Sequence, residues 1–175
     1  MAKQFDDAMA AYDRRDYTMA FRLLRPLAEL GHARAQAKLA FMYHIGRGVA
    51  EDQAASVSWD RKAANQGNAD AQFSLGVAYS RGEGVPQDRA AAVPWYRKAA
   101  NQGHADAQSD LGVLYARGLG VPQDYVQAHM WLSLASAQGK GLTLKYRDDI
   151  AASMTPVQIA EAQRLAREWK PKPAR

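Results

Sequence analysis

Apolar residues in this chain recur at spacings of three and four, the pattern that places side chains on one face of a helix. The stretch Gly67 to Gln102 contains two such stripes, separated by a polar, glycine-rich loop that starts at Gly82. The stripes are Ala71, Leu75 and Ala78 in the first segment, and Ala92, Trp95 and Ala99 in the second. The stretch therefore predicts a pair of amphipathic helices joined by a short turn.

This helix pair is repeated along the chain at a fixed distance of 36 residues, which separates Gly31, Gly67, Gly103 and Gly139. The segments Arg61–Gln72 and Arg97–Gln108 are identical at 11 of 12 positions. A period of roughly 20 to 50 residues is typical of solenoids, in which each unit buries its apolar face against its neighbours. We therefore predict an all-α solenoid.

Helix boundaries follow from residues with well-defined end preferences. Gly82 and Gly118 fit the left-handed position that ends a helix, and Asp88 and Asp124 fit the N-cap of the helix that follows. Thr155 with Gln158 three residues later forms a capping box. The repeated tryptophan of each second helix is expected to be the buried contact between helices.

The repeat divides the chain into an entry unit, three full units and a C-terminal cap. Residues 1–30 form the shorter entry unit, and the full units cover 31–66, 67–102 and 103–138. Residues 139–175 are predicted to be capping helices followed by a frayed basic tail from Lys170 onward.

The repeated residues also carry a family resemblance. They are Ala69, Ala71, Leu75, Gly76, Tyr79, Gly82, Gly84, Val85, Asp88, Ala92, Trp95, Tyr96, Lys98, Ala99, Ala100 and Gly103. This motif resembles the Sel1-like repeat, a relative of the tetratricopeptide repeat. The resemblance implies a right-handed α-solenoid of antiparallel helix pairs with about ten helices. It also implies a non-catalytic scaffold for protein–protein interaction in bacterial signalling or envelope assembly. Ser56, Asp60 and Pro94 depart from the motif, and we expect them to affect local packing only.

Composition narrows the function classes. The chain of 175 residues is 47% hydrophobic without an apolar run long enough for a membrane span, so we expect a soluble protein. The absence of cysteine excludes disulfides and thiolate metal sites. No signal peptide follows Met1, which fits a cytoplasmic protein, or a periplasmic or secreted one whose leader has been removed.

Candidate chemistry is sparse. His32 and His104 follow a glycine cap and are assigned to helix starts, and no histidine is spaced to complete a catalytic triad or a metal site. The glycines of the loops lack the lysine and the preceding strand of a phosphate loop. We therefore expect no catalytic residue, cofactor, metal or small-molecule substrate.

The strongest functional hypothesis is geometric. In stacked helix pairs, the residues of each first helix that face away from its partner helix line a concave surface. On this surface we predict contacts with a protein or peptide partner from Arg34, Phe41, His44, Asp70, Phe73, Val77, Asp106 and Val113. Ala37, Ser80, Ser109 and Ala116 complete the same rows. Phe41, Phe73, Val77 and Val113 should be exposed to water unless they contact the first helix of the next unit.

Two alternatives to a protein or peptide partner are a nucleic acid and a second copy of the chain. Basic residues such as Arg47, Arg61 and Arg97 could form a nucleic-acid stripe, but acidic residues including Asp60 and Asp70 are interleaved, as on an ordinary solvated surface. The net charge of +5 favours acidic partners only weakly. Weak self-association through the terminal helices is the alternative within the binding class.

Overall fold

The computed structural model describes residues 2–173, and within them the chain forms ten helices and no strand. Predictions that concern Met1, Ala174 and Arg175 lie outside the described residues. The helices are α1 Ala2–Asp13, α2 Tyr17–Glu29, α3 Ala33–Ile45, α4 Gln53–Asn65, α5 Ala69–Arg81, α6 Arg89–Asn101, α7 Ala105–Arg117, α8 Tyr125–Ala137, α9 Gly141–Ala151 and α10 Pro156–Glu168. The predicted all-α class is confirmed. None of these ten helices combines the length and apolar character that crossing a bilayer requires.

The chain divides after Gln87 into two compact units. In the first unit, α2 packs against α1 and α3, and α4 packs against α3 and α5. In the second unit, α7 packs against α6 and α8, and α8 also contacts α9 and α10. The division falls inside the sequence repeat 67–102, because α5 belongs to the first unit and α6 to the second.

The helix ends lie where the sequence places them. The side chains of Asp88 and Asp124 accept hydrogen bonds from the amides of Ala91 and Gln127, which confirms them as N-caps. Before α3 and α7, Nδ1 of His32 and His104 accepts from the amide three residues later, at 3.2 Å in both cases. The histidines therefore begin helices, as predicted. Gly82 and Gly118 end helices in the left-handed conformation, and Thr155 forms its capping box.

Small buried side chains and a repeated glutamine join successive helix pairs. Gln36 donates to the carbonyl of Ala28 at 3.0 Å, and Gln66 donates to Gln36 Oε1 at 2.7 Å. In the second unit, Gln108 makes the same bond to Ala100 and accepts one from Gln138. These buried amides satisfy a carbonyl near the end of the preceding helix, and a polar group buried in this way needs such a partner. The apolar pattern alone did not identify them.

The expected burial of the tryptophans is wrong for two of the three repeats. Trp59 and Trp95 are half-buried, and a lysine amine covers each ring, with Nζ of Lys62 4.0 Å and Nζ of Lys98 4.4 Å from the ring centroid. Trp131 alone is buried, at 5% exposure. The residue that follows each tryptophan is buried in all three second helices; it is Asp60, Tyr96 or Leu132, at 6%, 3% and 0% exposure.

The C-terminal segment is docked as far as Lys172, so the prediction of a frayed tail from Lys170 is wrong for that part. The Lys172 amide donates to the Asn101 carbonyl at 2.8 Å. The Trp169 ring meets Trp131 edge-on, with 6.4 Å between centroids. The aromatic contact explains why Trp131 is more deeply buried than its counterparts.

One glycine in each loop permits a backbone contact that no other residue would allow. Gly84 has a φ of +71°, and a Cβ built there would lie 2.3 Å from the carbonyl oxygen of Gln53. Gly48 and Gly120 are in the same situation against Tyr17 and Arg89, with closest approaches of 2.2 and 2.4 Å. These glycines allow each loop to pack against the first turn of the second helix of the preceding repeat.

Gly84→Ala should therefore destabilise the protein more than Gly31→Ala. Gly31 has a φ of +90°, and no atom lies within 4 Å of the place a Cβ would take, so alanine there incurs only the backbone penalty. That penalty is about 1–2 kcal/mol. At Gly84 the steric conflict adds about 1–3 kcal/mol. Urea unfolding followed by circular dichroism measures both variants, and equal losses would contradict the assigned role of the backbone contact.

Candidate binding groove of the first unit

Six of the eight predicted partner-binding residues lie together in the first compact unit. Arg34, Phe41 and His44 come from α3, and Asp70, Phe73 and Val77 come from α5. The other two, Asp106 and Val113, lie on α7 of the second unit.

Helices α3, α4 and α5 line two adjoining open cavities of about 220 and 610 Å³, and Phe5 and Met9 of α1 complete the lining of the larger one. The two cavities share Phe41, Asp60 and Ser74 as lining residues, so they meet above α4. We call this surface the α3–α5 groove and define it by Phe41, His44, Asp60, Phe73, Ser74 and Val77. The smaller cavity lies toward the loops, and the larger one extends toward Arg34, Lys38 and Asp70.

The apolar side chains of the groove differ in exposure. Phe41 is 45% exposed, whereas Phe73 and Val77 are half-buried against the smaller cavity. The expectation of four freely exposed apolar residues is therefore met fully by Phe41 only. The groove has one prominent aromatic residue and a recessed apolar wall beside it.

Polar side chains at the loop end of the groove form hydrogen bonds with one another. His44 Nδ1 and Gln53 Oε1 lie 2.8 Å apart, and Gln53 donates through Nε2 to the His44 carbonyl and to Glu51. Glu83 also lines the smaller cavity. No lysine or arginine contributes to its lining among the described residues, and Glu83 pairs with Arg81 outside the cavity, at 3.7 Å between Oε1 and Nη1.

The opposite end carries two cations that rest on aromatic rings. The Arg34 guanidinium lies 4.6 Å from the Phe5 ring centroid, and Lys38 Nζ lies 3.4 Å from that of Tyr12. Burial of Lys38 lowers the pKa of its amine. The two ends of the groove therefore differ in their lining, since only this end has cations, and Asp70 lies beside them.

In the second unit, helix α9 changes the surroundings of the predicted residues. Val113 is half-buried against a cluster that includes Ala116 and Ile150 and lines a cavity of about 180 Å³, so the expectation that Val113 faces water is met only in part. Ala116 is only 5% exposed, which corrects its placement on the same open row. Asp106 is exposed and forms an ion pair with Lys140 at 2.5 Å.

The expectation that Asp60 lies on a solvated surface is also wrong. The interleaving of charges along the chain groups it with a solvated surface, but it is 6% exposed on the floor of the groove. No described residue donates a hydrogen bond to its carboxyl group, and burial raises the pKa of Asp60 to about 8. The signal that could have found it is the break in the repeat, because the equivalent positions hold Tyr96 and Leu132.

Groups suited to catalysis or metal binding do not assemble in the described part of the chain. Within residues 2–173 no three His, Asp or Glu side chains are placed to hold a metal ion. One serine does lie near a histidine, with Ser133 Oγ 3.4 Å from His129 Nδ1. His129 is 3% exposed within α8, where a substrate has no access, and burial together with Arg147 lowers its pKa.

The helix pairs, the 36-residue period and the seated loops define a helical repeat protein of the tetratricopeptide-like class. The model of the Sel1 repeat matches four times, at residues 11–32, 33–68, 69–104 and 105–140. The chain therefore belongs to the Sel1 repeat family, as the sequence motif indicated. Proteins of this family typically mediate protein–protein interactions on a fold that is generally non-catalytic.

Two solved structures are similar to the chain. The Sel1 repeat protein from Oxalobacter formigenes is 34% identical with a TM-score of 0.75, and the match covers 78% of this chain and 56% of that one. The second is c5321, a protective antigen present in uropathogenic Escherichia coli strains and displaying an SLR fold. It is 34% identical with a TM-score of 0.64, over 89% of this chain and 41% of that one. The chain thus spans about half the length of these relatives or less. A search of curated proteins finds no match.

The buried carboxyl group makes stability depend on pH in a defined direction. The native state keeps the Asp60 proton up to about pH 8, whereas an unfolded aspartate releases it near pH 4. The free energy of unfolding should therefore fall between about pH 4 and 8, by up to about 1.4 kcal/mol per pH unit. Asp60→Asn, which cannot ionise, should remove this component.

Urea unfolding of the wild type and of Asp60→Asn at a series of pH values tests this expectation. The difference between the two curves isolates Asp60 from the other ionisable groups at the groove, which are Arg34, Lys38, His44, Asp70 and Glu83. The variant should become the more stable protein toward pH 8, and parallel curves would contradict the assignment.

Proposed function

We propose that the chain is a non-catalytic adaptor that binds an extended segment of a partner protein in the α3–α5 groove. The observation that carries this proposal is the exposure of Phe41 at the junction of the two cavities. We place the partner in bacterial signalling or envelope assembly, the settings implied by the family resemblance. The other predicted contacts, Asp106 and Val113, are a further proposed surface of the second unit.

The physical argument concerns where apolar surface is left uncovered. A large aromatic side chain at 45% exposure beside a recessed apolar wall is a typical anchor point, because its burial by a partner is favourable. The charged residues on both sides, Arg34 and Lys38 at one end and Glu83 at the other, supply orientation. A segment of partner chain laid across Phe41 would use both features.

We propose no nucleic-acid partner, because the basic residues of the suspected stripe have partners within the chain. Arg61 and Arg97 donate to the hydroxyl groups of Tyr79 and Tyr115, at 2.9 and 2.6 Å. Arg47 donates to the Tyr12 hydroxyl, and Lys62 and Lys98 cover tryptophan rings. These cations support packing between helices.

Phe41→Asp should weaken peptide binding without loss of fold. Peptides selected by display on the purified chain should bind Phe41→Asp roughly tenfold or more weakly in fluorescence anisotropy, since an aromatic anchor is replaced by a charge. Met19→Asp is the matched control, because Met19 on α2 is equally exposed at 43% and does not line the groove. Selected peptides that bind both variants as they bind the wild type would refute the groove.

Self-association is the second candidate, and exposed apolar residues of the terminal helices favour it. Leu142 on α9 and Val157 on α10 are 91% and 78% exposed. Light scattering should report a mass above the monomer that is reduced by Leu142→Glu with Val157→Glu. These point changes are preferable to deletion of α10, which would uncover Trp131. A monomer at all concentrations would exclude this candidate.

A further inference from the structure

We propose that the partner segment places a basic side chain, lysine or arginine, in the smaller cavity of the α3–α5 groove with its charged end on the Asp60 carboxylate. This inference rests on the proposed function of the groove and names the chemistry that the partner must present. Its basis is the combination of a cavity and a buried acceptor at a single position of the repeat.

The cavity exists because the repeat is broken at Asp60. In the second unit the equivalent Leu132 fills its space so closely that a Cβ on Gly112 would lie 2.8 Å from Leu132 Cγ. Tyr96, at the same position of α6, is 3% exposed. Aspartate is shorter than either, and beside it the buried Ser56 replaces an alanine found at Ala92 and Ala128. The result is the cavity of about 220 Å³.

Both features at this position oppose folding. The open cavity lacks the packing that a larger side chain at its floor would supply. A buried carboxyl group without a hydrogen-bond donor loses its hydration and gains nothing in return. Two unfavourable choices at one point of an otherwise regular repeat are typical of a functional site.

The walls of the cavity specify the occupant. Phe41, Phe73, Val57 and Val77 supply apolar and aromatic surface, and Asp60 supplies an acceptor on the floor. Glu83 adds a second carboxylate at the loop end. A lysine or arginine side chain matches this arrangement of apolar walls above a carboxyl group, since its apolar stem contacts the walls and its charged end donates to the carboxylate. An aromatic ring beside the path of the cation adds a favourable contact.

Other occupants fit poorly. An anion would meet the Asp60 and Glu83 carboxylates, and an apolar side chain would leave the buried carboxyl group without a donor. The larger cavity is less suited to a cation, because Arg34 and Lys38 line it together with Asp60 and Asp70 and repel a further positive charge. The smaller cavity is therefore the place for a basic side chain.

Proton release provides an independent readout. The Asp60 carboxyl is neutral at pH 7 when the cavity is empty, since burial raises its pKa to about 8. A bound cation stabilises the ionised form, so binding releases a proton, and affinity should rise from pH 6 to pH 8. Other charged groups around the groove are Arg34, Lys38, His44, Glu51, Asp70 and Glu83, and the comparison with Asp60→Asn removes their contribution.

The test uses the display-selected peptides on the full chain. Peptides whose binding depends on Phe41 should share a lysine or arginine, and its replacement by norleucine or citrulline should weaken binding to the wild type roughly tenfold. The same replacement should have little effect on binding to Asp60→Asn or Asp60→Leu. Asp149→Asn, which removes an exposed carboxylate of α9, is the charge-matched control and should behave as the wild type.

The outcomes separate the two proposals. If no selected peptide depends on Phe41, the groove itself is refuted. If peptides depend on Phe41 but lack a shared basic residue, or bind Asp60→Asn and the wild type alike, only the basic side chain is refuted. Free agmatine should compete only weakly, because it lacks the contacts of a peptide with the rest of the groove. Agmatine that matches the peptides in affinity would instead assign the cavity to small cations and overturn the inference.

Discussion

The fold depends on a backbone contact that is possible only at glycine. The loop glycine of each repeat rests on the first turn of the preceding second helix, so closely that a Cβ at Gly84 would collide with the Gln53 carbonyl. The contact holds each loop against the second helix of the preceding repeat. A buried glutamine joins the first helix to that same second helix, as Gln36 joins α3 to α2 and Gln108 joins α7 to α6. Because these contacts involve the backbone, most outward side chains can vary without disturbing the repeat.

This freedom of the side chains to vary extends to one buried position, beneath the α3–α5 groove. The second helix of each repeat buries the residue that directly follows the repeated tryptophan, and this residue is Tyr96 or Leu132 in the regular case. At Asp60 the same position holds a carboxyl group and leaves a cavity. The fold tolerates the loss of packing there because the backbone contacts of Gly48 and Gly84 do not depend on it. A repeat of this kind can thus acquire a cavity where its buried positions depart from the motif, as at Ser56 and Asp60.

The predictions that succeeded concerned local geometry, and those that failed concerned the surroundings of a side chain. N-caps, left-handed glycines and the histidines at helix starts are decided within a few residues, so their pattern could be interpreted directly. The burial of Trp131 depends on Trp169, which lies 38 positions further along the chain by their residue numbers. Val113 is half-buried because Ile150 of α9 packs into the same cluster. No spacing rule within one helix contains this information.

The sequence by itself determined the helices, their ends, the period and the family, because each of these is encoded by residues that recur or that act on their own backbone. It also indicated the helix faces on which four of the six residues that define the groove lie. Only the tertiary structure decided which of those faces stays open and what lies beneath Phe41. Burial is a property of three helices packed together, and it converts Asp60 from an apparent surface acid into the unpaired carboxyl group on the floor of the groove.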